Sequence, residues 1–153
     1  MKPKTLIHFR NLLKFSGLFN IVLAFSFMIP GAYEYYLELY NTLNSILMLG
    51  GNDISIPTDA FHILFIHTAG IDLVLIGSFV LYASKDPLSK SSRFIILMNG
   101  IGRSLFFLLV MYYGISMGLI GIFVAIGIID IFITSAFIYY LNKTKNAALS
   151  PGK

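Results

Sequence analysis

The chain has 153 residues, 57% of them hydrophobic and only 12% charged, with a formal net charge of +4. That balance, with a positive mean hydropathy, excludes an ordinary soluble globule and makes lipid the solvent for most of the chain. Cysteine is absent, which excludes structural disulfides, thiolate metal sites and thiol redox chemistry carried by this chain.

Four apolar runs reach spanning length, at about residues 13–29, 60–83, 94–113 and 118–141. They are continuous and lack strand-like alternation. Because backbone in hydrocarbon must satisfy its own hydrogen bonds, they read as helices. The predicted fold is all-α, a four-transmembrane-helix bundle forming one domain over residues 1–141. The first span follows a basic start, as in a signal peptide, but Ile29-Pro-Gly-Ala32 is a poor cleavage site, so a retained signal anchor is expected. The segment from Pro30 to Thr58 is too long for a simple connection. Within it Tyr33, Tyr36, Leu37, Tyr40, Leu43 and Leu47 recur at helical spacing, opposite Glu34, Glu38, Asn41 and Ser45. This predicts an amphipathic interfacial helix over about 32–49, ended by Gly50-Gly51, serving as a lid on the bundle or as a docking surface. Asp59 is placed to cap the second span, a turn at Tyr113 to Met117 to join the third to the fourth, and residues 142–153 to form a disordered tail.

The basic residues orient the bundle. Lys2, Lys4, Arg10 and Lys14 precede the first span, Lys85, Lys90 and Arg93 separate the second from the third, and Lys143, Lys145 and Lys153 follow the fourth. The remaining one of the 11 is Arg103. By the positive-inside rule both termini are cytoplasmic, so the surplus charge reflects topology and membrane lipid, not a nucleic acid partner. The tyrosines fall at the two interfaces, Tyr82, Tyr139 and Tyr140 at the inner one and the rest at the outer.

Each span carries a polar residue near its centre: Asn20, Asp72, Arg103 and Asp130. An unpaired arginine at that depth costs roughly 2.5 to 3.5 kcal/mol on insertion scales, so Arg103 requires partners inside the protein. An Asp72–Arg103–Asp130 cluster is therefore expected, joined by Asn20 and by Asn99 one turn before Arg103. Two carboxylates around one cation leave a net negative charge, so such a cluster is expected to hold one proton near neutral pH. Gly17, Gly70, Gly100, Gly102 and Gly127 would let the helices approach closely there. The layer is open to three uses: fixing helix register, handling protons or ions, or recognising a polar headgroup. His67 and His62 lie outward of Asp72 in steps of about 7.5 Å, but successive members are rotated by about 140° and form no continuous stripe. Ser16-Gly-Leu-Phe-Asn20 parallels Asn99-Gly-Ile-Gly-Arg103, and Gly70-Ile-Asp72 parallels Ile128-Ile-Asp130, a weak internal repeat of two parallel hairpins.

His62 and His67 share one helix and cannot supply opposite axial ligands to a haem. No metal-ligand spacing and no nucleophile–base pairing stands out, so no cofactor, no metal and no catalytic activity are expected. Through Gly17-Leu-Phe-Asn20, Phe61-His62, Ala83-Ser-Lys-Asp-Pro87 and Asn99-Gly-Ile-Gly-Arg103-Ser-Leu-Phe-Phe107 the chain resembles the BphX-like small four-span bacterial membrane proteins. The resemblance implies a bacterial inner membrane. Arg103 stands where that family's pattern has lysine, which keeps the charge and puts a shared proton-transfer role in doubt. The expected function is an accessory or scaffold subunit of a larger membrane complex, partnered by other membrane subunits or by its own copies. The alternative is a small carrier or a lipid- or small-molecule-binding protein, built on the midplane cluster and proton-coupled if it transports.

Overall fold

A computed structural model describes residues 3–145, which form five α-helices and no strand. They are α1 (Pro3–Ala24), α2 (Ala32–Ile46), α3 (Ala60–Ala83), α4 (Lys90–Met117) and α5 (Gly121–Lys143). A 3₁₀ turn, Phe25–Met28, extends α1, and that unit, α3, α4 and α5 are each long and apolar enough to cross a membrane. The chain is thus a multi-pass helical membrane protein.

The helices pack as two antiparallel hairpins, α1 with α3 and α4 with α5, which meet more loosely through α3 and α4. Glycine sets the first crossing. A Cβ at Gly17 would lie 2.7 Å from the Gly77 carbonyl oxygen, and one at Gly77 would lie 2.7 Å from that of Gly17, so α1 and α3 touch backbone to backbone. In the second hairpin the Thr134 hydroxyl donates to the Gly100 carbonyl at 3.3 Å.

Two apolar cores occupy opposite ends of the bundle. At the end that holds the termini, Phe9, Leu13, Val80, Ala83, Ile96, Ile133 and Phe137 are buried together. At the other end Tyr33, Leu37 and Tyr40 bring α2 down onto Phe27, Ile63, Ile66 and Phe123. The expected amphipathic helix is therefore present and packs as a lid, with Glu34 and Glu38 exposed. It ends at Ile46, before the glycines, and Leu47 is exposed beyond it. Asn41, expected on the polar face, instead turns to the following loop, accepting from Ile54 N–H at 2.8 Å and donating to its carbonyl at 3.0 Å.

Three boundaries differ from the sequence reading. Helix α4 runs on through Tyr113 and Gly114 to Met117 and ends at Gly118, which takes the left-handed conformation of a C-terminal cap at φ 66°. Helix α1 starts well before residue 13, its basic residues lying on a helix that continues into the span. Of the expected tail, Asn142 and Lys143 belong to α5, Thr144 is its C-terminal cap, and residues 146–153 lie outside the described residues.

Both ends of α5 are closed by other helices. Its N-terminus has no capping side chain of its own, and Asn44 of α2 accepts from Ile122 N–H at 2.9 Å while donating to the Gly50 carbonyl at 3.0 Å. At its C-terminal end Arg93 of α4 donates to the Leu141 carbonyl at 2.7 Å and to the Thr144 hydroxyl at 2.8 Å.

Candidate functional site

Between the two cores lies a buried polar network centred on Arg103, 5% exposed. Its guanidinium forms an ion pair with Asp130 of α5. Its Nε donates to Asn99 Oδ1 at 3.0 Å, one turn back on α4. Its second terminal nitrogen reaches α1, donating to the Ser16 hydroxyl at 3.0 Å, to the Ser16 carbonyl at 3.2 Å and to Asn20 Oδ1 at 2.5 Å. A planar donor with fixed geometry thereby ties three helices at one depth, and the cost of burying its charge is offset by a counter-ion and four further acceptor contacts.

Asn20, Asn99 and Asp130 are each more than nine-tenths buried. Because guanidinium can only donate, both asparagines must turn their carbonyl oxygens toward it, leaving their amide nitrogens on the other side. Among the described residues, those two amides and the second Asp130 oxygen have no hydrogen-bond partner. All three side chains line a cavity of about 470 Å³ between the hairpins. Arg103 borders it too, and its walls are otherwise mainly apolar: Leu23 of α1 and Phe27 of the 3₁₀ turn, Ile76 and Phe79 on α3, Met98 and Phe106 on α4, and Phe123 and Ile126 on α5. Phe79 is 56% exposed and Met98 43%, so the cavity opens sideways between α3 and α4, into what would be hydrocarbon. Tyr40 of the lid helix closes its far end.

In comparisons with protein-family models, with curated proteins and with solved structures, no match to this chain is found.

Of the residues singled out in the sequence, Asn20, Asn99, Arg103 and Asp130 meet at one point, and Ser16 is a member that the sequence reading passed over. Its signal was there: Ser16 lies four residues before Asn20, on the same helix face. Asp72 does not join. It is exposed on α3 and makes no ion pair; among the described residues the pairs are Arg103–Asp130 and Asp59–His62. The physical reason is helical phase: Gly70 and Gly77 press α3 onto Phe27 and Gly17, and Asp72 points some 140–160° away from them at 100° per residue. The expected shared proton goes with it, since Arg103 and Asp130 alone neutralise one another. His67 also stands apart, its Nδ1 donating to the Phe27 carbonyl at 2.6 Å with Tyr33 edge-on to its ring, so that it fixes the 3₁₀ turn. The repeat therefore has a partial counterpart in space: Ser16 and Asn20 face Asn99 and Arg103 across the network, while the two aspartates occupy unlike surroundings. Among the described residues no three of His, Cys, Asp or Glu come together.

Proposed function

We propose that this protein binds an uncharged, elongated amphiphile within the membrane, with the ligand's carbonyl or hydroxyl groups seated against Asn20, Asn99 and Asp130. The observation that carries this reading is the cavity: about 470 Å³, within the range of ligand sites, apolar along its length, and supplied midway with two amide donors and one carboxylate acceptor that lack partners. The ion pair beside them is neutral overall, so a charged head would add an uncompensated charge in low dielectric. Entry through the α3–α4 opening is from the bilayer, which suits a lipid-soluble ligand. Binding and not catalysis is the role these groups support. By the distribution of basic residues the termini face the cytoplasm, and the BphX-like resemblance favours a bacterial inner membrane.

The test uses a monoacylglycerol bearing a diazirine in its chain, photoactivated with the full-length protein in phosphatidylcholine vesicles. Labelling is expected at cavity positions such as Ile76 and Met98, competed by unlabelled monoacylglycerol. Gly102 lines the cavity and a Cβ there meets nothing within 4 Å, so Gly102→Leu fills the space without a clash and is expected to abolish that labelling at unchanged thermal stability. Labelling that is equal in both proteins, or confined to the outward Phe132 and Ile138 of α5, overturns the proposal.

A second reading, as a subunit of a larger membrane assembly, is favoured by one observation: Asp72 lies on the outside of the bundle at the middle of a spanning helix.

A further inference from the structure

Asp72 is near the centre of the 24-residue helix α3, exposed, and in neither ion pair of the described residues. Carboxylates at bilayer depth ordinarily face a bundle interior or a water-filled cavity and pair there. This one faces neither. Within two turns of it, the residues lying within about 60° around the helix, Phe65, Thr68, Ala69, Leu75, Ile76 and Phe79, are all exposed as well, Ile76 and Phe79 at the rim of the cavity, and α3 buries its opposite side on α1 and the 3₁₀ turn. The stripe is apolar, with the two short side chains Thr68 and Ala69 one turn from the carboxylate, which allows another backbone to come close.

We infer that this face of α3 docks a transmembrane helix of another protein that carries a lysine or arginine at mid-membrane depth. Charge complementarity selects that occupant. A carboxylate in hydrocarbon is compensated best by a cation at the same depth, and the one mid-span cation of this chain, Arg103, is enclosed by Asp130, Ser16, Asn20 and Asn99. A second copy would therefore bring only another aspartate to the stripe. The inference rests on the subunit reading above and names the chemistry of the partner.

The experiment places donor-labelled full-length protein in phosphatidylcholine vesicles with acceptor-labelled leucine-rich transmembrane peptides. One peptide has a single central lysine and the other leucine at that position. Association with the lysine peptide is expected to be about tenfold tighter, a difference typical of an interhelical polar contact in lipid. That preference should vanish in Asp72→Leu and persist in Gly102→Leu. Equal association of the two peptides with the wild-type protein overturns the inference. If energy transfer between copies of this chain is then found and Asp72→Leu abolishes it, the face belongs to a homo-oligomer and the subunit reading stands without a basic partner. If no pairing of any kind depends on Asp72, both fail. Asp72→Leu is a safe probe of folding because no described contact within the chain is lost with it.

Discussion

Asp72 and Asp130 illustrate how unequal two aspartates on spanning helices can be: one lies exposed on α3, the other is buried against Arg103. Removing one partner of a buried pair leaves the other charge uncompensated, so Asp130→Leu is expected to destabilise the protein by about 3–5 kcal/mol. Replacing both, as Arg103→Met with Asp130→Leu, is expected to recover most of that loss, and a double-mutant cycle of unfolding in detergent checks it. Asp72→Leu, which removes a charge with no partner in the chain, is expected to be neutral or stabilising in the same assay. Asn20, Arg103 and Asp130 were legible in the sequence because each is an isolated polar residue in an apolar run, a pattern that internal pairing explains, whereas Ser16, close to the basic start of α1, was not. Which way Asp72 points was less legible. Depth follows from residue number alone, but direction requires knowing which face of α3 is buried, and the spacing of Gly70 and Gly77 was the available clue.

At the scale of elements, the helices depend on one another for closure. Asn44→Ala removes the acceptor that caps α5 from α2, and a loss of about 1 kcal/mol is expected in chemical unfolding, typical of a lost N-cap. Asp59 caps α3 locally, accepting from His62 N–H at 3.1 Å, and that contact followed by the His62 ring holds its carboxyl below the usual carboxylate range. Its folded value is depressed, so its contribution is present above the ordinary pKa near 4 and is lost as pH falls through the lower folded value. Melting curves of wild type and Asp59→Ala should accordingly converge as pH is lowered from 6 to 3. Gly77→Ala forces a Cβ against the Gly17 carbonyl and is expected to cost about 1–3 kcal/mol by separating α1 from α3. The spanning runs and the Asp59 cap could be read from periodicity and local residue type. The closures of α5 by Asn44 and Arg93 could not, because they join positions distant in the chain.

For the whole molecule, the absence of cysteine from the sequence makes single-cysteine mapping direct. A membrane-impermeant maleimide is expected to label Ser55→Cys in intact cells and Lys85→Cys only after permeabilisation, since both sites are exposed and lie on opposite ends of the bundle. Equal labelling without permeabilisation removes the inward placement of the termini. The four spans were evident from hydropathy, but the cavity was not. It is a property of the gap between two hairpins, and apart from the mid-span polar residues its lining carries no signature beyond being apolar.

The Arg103 network also implies an order of assembly during synthesis. Ser16 and Asn20 lie 87 and 83 residues upstream of Arg103, whereas Asp130 lies 27 downstream. As the ribosome advances, the segment bearing Arg103 reaches the translocon when uncharged oxygen acceptors are already in the bilayer and its counter-ion, 27 residues behind, is still inside the ribosome. The first hairpin therefore acts as a temporary host for a charge whose permanent partner arrives last. A chain that ends before Asp130 and is released from the ribosome should already hold that arginine in place, and the final helix then locks an arrangement begun without it.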